Sequence, residues 1–126
     1  MAILAAGVAP DLRVTCIESD RRKAAFLMTA ARELGLAVTV LSERAEAAEP
    51  QAADVVSARA LAPLAELLPL AVRHLRPGGF AIFPKGARHA MEVAEARAVW
   101  RFDLTEFASR TDPDARILKL GAIIRD

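Results

Sequence analysis

An α/β fold, in which a mostly parallel sheet is flanked by helices and finished by an antiparallel hairpin, is what this sequence predicts. Three observations predict it. Short β-branched runs alternate with segments whose apolar residues recur at helical spacing. One such run, Arg13-Val14-Thr15-Cys16-Ile17-Glu18, ends in an acid and passes straight into a helical pattern. The last two strand-like runs have only a polar loop between them, which makes them antiparallel neighbours at one edge of the sheet.

The elements follow in order. Residues 1–10 are apolar but lack a positive leading region and fall far short of the roughly 20 residues that span a bilayer. They read as the last turns of a buried helix, stopped by Gly7 and Pro10. After the strand at 13–18, residues 20–34 carry Ala24, Leu27, Ala31 and Leu34 on one helical stripe, with Ser19 or Asp20 as N-cap and Gly35 as the stop. Residues 37–41 are a β-branched strand and residues 42–48 a brief helical turn. Residues 54–57 are a buried-strand candidate. Residues 62–75 form a helix with Pro63 in its first turn and Leu64, Leu67, Leu68, Ala71 and Leu75 inward. Arg76-Pro77-Gly78-Gly79 reads as a tight connection to a strand at 80–83, closed by Pro84-Lys85-Gly86. An alanine-rich helix at 87–98, a strand at 99–104, a polar loop at 109–115 and a final strand opened by Arg116 complete the chain.

Composition excludes several function classes. With 126 residues, 54% of them hydrophobic and 26% charged, the chain is a single globular domain. A net charge of +1 does not describe a protein that coats nucleic acid, although a local basic face is compatible with it. Five phenylalanines, one tryptophan and no tyrosine are a poor supply of stacking platforms for single strands. The single cysteine, Cys16, cannot form an internal disulfide and reads as a small core residue in a reducing compartment. No run approaches membrane length, so a cytoplasmic location is expected. His74 and His89 are too isolated for a metal or acid-base site and read as surface residues, and Trp100 reads as sheet-edge packing.

The candidate site starts at Glu18. A carboxylate at the carboxyl end of a parallel strand is where a nucleotide-binding sheet holds a ribose through its hydroxyls. In such sheets the acid follows the second strand, with a first strand and glycine-rich turn about 20 residues earlier. A surface acid beside the next helix is the competing reading.

Specific words narrow the class. Ser19-x-x-x-Lys23-x-x-Phe26-Leu27, Arg44-Ala45-Glu46, Asp54-Val55-Val56-Ser57-Ala58-Arg59-Ala60-Leu61-Ala62-Pro63-Leu64, Leu75-Arg76-Pro77-Gly78-Gly79 and Lys85-Gly86 stand in the order found in the RsmG (GidB) family. The chain resembles that family over nearly its whole length. The resemblance implies a class I S-adenosylmethionine-dependent methyltransferase fold, Rossmann-like, that methylates N7 of a guanine in small-subunit ribosomal RNA. It also implies that residues 1–126 are one partial methyltransferase domain, with the amino-terminal helices, first strand and glycine-rich loop upstream. One word departs from the family, which commonly has Ser-Arg-Ala where this chain has Ala58-Arg59-Ala60.

By that resemblance Glu18, Ser19, Ala45, Glu46 and Arg59 bind the cofactor S-adenosyl-L-methionine, and Arg59 is also the catalytic candidate. Lys85 and Arg116 contact the RNA or shape its pocket. Arg59 suits guanine O6 or a phosphate, because N7 itself must stay open. No metal is expected, since a guanine N7 carries a lone pair and no proton to remove.

Two consequences and two rivals complete the reading. A sheet without its first strand leaves the strands at 13–18 and 54–57 with open edges, which close on each other or take a strand from a second copy; light scattering that returns a clean monomer excludes the second. The chain alone is expected to be inactive and to bind the cofactor weakly or not at all. The rivals are a nucleotide-linked oxidoreductase fragment and a non-catalytic truncated interaction domain.

Overall fold

A computed structural model describes residues 13–35, 37–58 and 62–126, so the apolar run at 1–10 and Arg59 lie outside the described residues. The chain divides into two compact units, Met1–Ala48 and Glu49–Asp126.

The first unit is a β-α-β element. Strand β1 (Val14–Ile17) leads through Glu18 and Ser19 to helix α1 (Arg21–Glu33), and β2 (Val38–Leu41) returns parallel to β1. The ladder runs from Val14 opposite Val38 to Ile17 opposite Leu41. Glu18 N–H extends it by donating to Leu41 O at 2.9 Å. Of the two N-cap candidates, Asp20 takes the role. Its backbone is extended, and its carboxylate accepts from Arg22 N at 2.8 Å and Lys23 N at 3.3 Å, satisfying amides that the first helical turn leaves orphaned. Gly35 ends the helix region at φ +65, where a side chain would be strained. Ala24 and Ala31 are buried as expected, but Leu34 is 65% exposed. Leu34 sits at the C-cap, one residue past the last helical turn, where the helical stripe no longer sets its direction.

The second unit is a mixed sheet with two helices. In chain order it contains β3 (Ala53–Ser57), α2 (Leu64–His74), β4 (Leu75–Lys85), α3 (His89–Arg97), β5 (Trp100–Ala108) and β6 (Arg116–Arg125). The strand order is β3-β4-β6-β5. β3 lies parallel to β4, and β6 runs antiparallel to both β4 and β5, so the expected hairpin is present and its second strand is the inner one. β1 and β3 belong to different sheets, each bonded to one neighbour. Edge position also explains why Val55 is 43% exposed and Val56 half-buried, where a buried strand was expected.

The core of this unit lies between α2, α3 and one sheet face, with Leu64, Leu68, Phe83, Leu118 and Leu120 fully buried. Trp100 packs there too, at the edge strand β5. His74 is a correction. It is buried, because it continues the α2 stripe of Leu64, Leu67, Leu68 and Ala71, and helical phase outweighs its polarity. His89 is half-buried at the start of α3, its Nδ1 3.8 Å from Glu106 Oε1.

The segment expected as a tight connection at residues 76–79 is strand instead. β4 begins at Leu75, and Leu75 pairs with Ala53 across an irregularity in the β3–β4 register. Two glycines make this possible. Gly78 takes φ +83, and a Cβ on Gly79 would lie 2.9 Å from both Ala53 O and Asp54 O, so β3 passes as close as a bare backbone allows. Gly79→Ala is therefore expected to cost about 1 to 3 kcal/mol as the two strands are pushed apart. An unchanged urea midpoint would contradict that close approach.

Among the described residues no helix is long and apolar enough to cross a membrane.

Candidate functional site

Because β1 and β2 are parallel and in register, both carboxyl ends emerge at the same edge of the first unit, the edge at which α/β sheets bind ligands. The loops leaving them flank an open cleft of about 410 Å³ lined by Ser19, Asp20, Arg21, Ser42, Glu43 and Arg44. Asp20 is committed to the α1 amides. Glu18, half-buried at the end of β1, has its amide held by Leu41, and among the described residues nothing hydrogen-bonds its carboxylate. Among the described residues, Glu18 and Glu43 are thus the acids at this edge whose carboxylates accept no hydrogen bond. The hydroxyls of Ser19 and Ser42 and the carboxylate of Glu43 supply the donors and acceptors that a ribose or a purine edge requires.

Beyond Arg44 the chain makes a tight turn, with Ala47 N donating to Arg44 O at 3.0 Å and Ala48 N to the same oxygen at 2.9 Å. Ala48 is completely buried and anchors the turn, while Ala45 is half-buried and Glu46 exposed. Ala45 and Glu46 thus directly follow a residue of the cleft wall. Cys16, half-buried on β1, is free, and burial pushes its thiol pKa up, the direction of an inert side chain rather than a nucleophile.

The second unit holds the other candidates. Arg59 lies outside the described residues, so no contact is assigned to it. Lys85 closes β4 and is turned inward: its side chain is 1% exposed, with Nζ 2.8 Å from Glu92 Oε1 and donating to Ala62 O at 2.8 Å. Arg116 opens β6 directly opposite Lys85, and its guanidinium donates to Pro113 O and Ala115 O, both at 2.8 Å. Those bonds brace the polar loop, which is also tied by Asp114 N donating to Asp112 Oδ1 at 2.9 Å. Lys85 and Arg116 are brought together at one end of the sheet, both engaged with carbonyl groups. Among the described residues no cluster of His, Cys, Asp and Glu could hold a metal ion.

Two groups escaped the sequence argument. Ser42 and Glu43 leave β2 as Glu18 and Ser19 leave β1, so the strand-end rule that found Glu18 applies to them equally. Glu92 stands in an alanine-rich helix with no motif around it, and nothing in its spacing announces a partner.

Comparison with known proteins identifies the family and the fold. Residues 2–113 match the family model GidB, rRNA small subunit methyltransferase G. A ribosomal RNA small subunit methyltransferase G from Cereibacter sphaeroides is 52% identical over 123 residues, covering 98% of this chain and 60% of that protein. One from Ruegeria sp. is 54% identical over 125 residues, covering 99% and 61%. The chain therefore spans about three fifths of the length of these relatives. Among solved structures, M. jannaschii TYW2 in complex with AdoMet is similar with a TM-score of 0.70 at 14% identity, covering 98% of this chain and 63% of that one. The Methanococcus jannaschii fibrillarin pre-rRNA processing protein gives 0.66 at 20% identity, covering 91% and 58%. At those identities the likeness is one of fold.

Proposed function

Because the chain belongs to the GidB family, rRNA small subunit methyltransferase G, and has the class I methyltransferase fold, we propose that the whole-length protein methylates N7 of a guanine in small-subunit ribosomal RNA. The observation that supports this reading is the Glu18 carboxylate, which no described residue hydrogen-bonds, next in the chain to Ser19 of a polar cleft at the carboxyl ends of two parallel strands. S-adenosylmethionine supplies a methyl group on a positively charged sulfur. Glu18 accepts from the ribose hydroxyls of that cofactor, with Ser19 beside it, and Ala45 and Glu46 border its adenine. The cleft's hydroxyl and carboxylate groups fit a polyhydroxylated, nitrogen-rich ligand better than an apolar one.

Guanine N7 is a nucleophile with an in-plane lone pair, so the protein has to align it with the methyl group and exclude water, and needs no general base. Arg59, by its place after β3, holds guanine O6 or a neighbouring phosphate and leaves N7 open. For Lys85 the inward geometry favours shaping the pocket over touching RNA. Arg116 serves the same end of the sheet through the loop that it braces.

The chain by itself is expected to bind the cofactor more weakly than micromolar, since its six glycines include no Gly-x-Gly-x-x-Gly spacing of the kind that cradles the methionine end. Following amide shifts while S-adenosylhomocysteine is titrated into the 126-residue chain reads such weak binding. Shifts confined to residues 18–20 and 42–46 are expected. Glu18→Gln should weaken binding roughly tenfold or more and so erase them. Shifts centred elsewhere, or retained in full by the variant, would remove Glu18 from the site.

A further inference from the structure

We propose that Lys85 and Glu92 are a positioning pair: a buried ionic clamp that fixes the backbone on both sides of Pro63 at the carboxyl end of β4, three residues along the chain from Arg59. The inference rests on the proposed role of Arg59 in meeting the substrate.

Helix α2 has an unusual start. Its N-cap is Pro63, which has no side chain able to accept from the first helical amides, and no side-chain cap bond is made there. The acceptor comes from another helix. Leu64 N–H donates to Glu92 Oε1 at 2.9 Å, across 28 residues of sequence. The same oxygen meets Lys85 Nζ at 2.8 Å, and Lys85 Nζ also donates to Ala62 O at 2.8 Å. Two charged side chains thus grip the backbone on both sides of Pro63, one by its carbonyl and one by its amide.

The electrostatics explain why both charges are needed. A carboxylate is favourable at the amino end of a helix, and an ammonium is not. Lys85 alone would oppose the α2 dipole from within a site where it is 1% exposed. Glu92 neutralises it and caps the helix with a single oxygen. An apolar pair of the same volume would pack the site with less desolvation cost, but it could not hold a carbonyl and an amide at fixed distances. What the ionic pair adds is therefore geometry at Ala62 and Leu64. Arg59 stands three residues before Ala62 in the chain, on the segment that leaves the carboxyl end of β3. Three residues reach at most about 10 Å, so a fixed Ala62 carbonyl keeps Arg59 within that tether.

The test uses the 126-residue chain with Glu92→Gln, Lys85→Met, the double variant Lys85→Met with Glu92→Leu, and Arg59→Ala as reference. Amide exchange of residues 58–66 is measured beside filter binding to a small-subunit ribosomal RNA transcript. The single clamp variants are expected to speed exchange at Leu64 by about tenfold relative to the core strands, and to weaken RNA binding as Arg59→Ala does. The double variant is expected to regain melting temperature without regaining RNA binding. Recovery of both together would show a merely stabilising pair and overturn the inference. Unchanged exchange at 62–66 in Glu92→Gln would overturn it too, whatever the RNA result. If Arg59→Ala leaves RNA binding intact while Glu92→Gln quickens exchange, the clamp stands and it is the reading of Arg59 that fails.

Discussion

Glu92→Ala is expected to lower the stability of the chain by about 3 to 5 kcal/mol, an effect out of proportion to a partly exposed glutamate. The loss has two parts. Leu64 N–H forfeits its acceptor, and Lys85 is left as an ammonium inside the protein with Ala62 O as its remaining partner. Removing one member of a buried pair strands the other, and most of the cost is the stranded charge. The surface ion pairs provide the contrast. Arg101 with Asp126 and Arg76 with Asp54 are about half or more exposed on each side, so Asp126→Ala should cost no more than about 1 kcal/mol. Urea denaturation followed by circular dichroism measures both. If Glu92→Ala falls within the range of Asp126→Ala, Lys85 has another way to be solvated and the pair is not the closed contact described.

Phe83→Ala is the second large expectation, at about 3 to 5 kcal/mol. Phe83 is the largest fully buried side chain of the core, on the inner face of β4 opposite Leu118 and packed beneath α2. Removing its ring leaves a void that the neighbouring strands, held by their ladders, cannot close, and cavity cost adds to lost transfer energy. Phe26 supplies the control within the same chain. It is 71% exposed on α1, and its replacement by alanine is expected to stay within about 0.5 kcal/mol. Equal losses at the two positions would mean that Phe26 is covered in solution.

Much of the fold was legible because its signals are local. The β1-to-α1 passage is written in a β-branched run, an acid, an N-cap aspartate and a glycine stop, and the hairpin is betrayed by the lack of any helical pattern between residues 104 and 116. Where the reading went astray, pairing overruled local preference. Pro77-Gly78-Gly79 is a turn word, and it falls in the irregularity between the pairings of Leu75 with Ala53 and Phe80 with Val55, which draw both ends of the segment into β4. Residues 105–108 lack a strong strand pattern, yet pairing with residues 116–119 of β6 carries β5 through Ala108. His74 was readable from its stripe, had helical phase been weighed above residue type. The candidate site divides in the same way. Glu18 and Ser19 follow from a rule about strand ends, whereas the Lys85–Glu92 pair spans a strand, a turn and a helix start, and no spacing rule anticipates it.

The borrowed cap of α2 has a consequence for the order of events during synthesis. Pro63 and Leu64 are made 28 residues before the glutamate that completes them. At about 5 to 20 residues per second, the start of this helix waits one to several seconds before its acceptor has been made at all. Its first turn therefore cannot be capped until β4 and the start of α3 have been made, so the amino end of α2 depends on chain that emerges well after the helix itself.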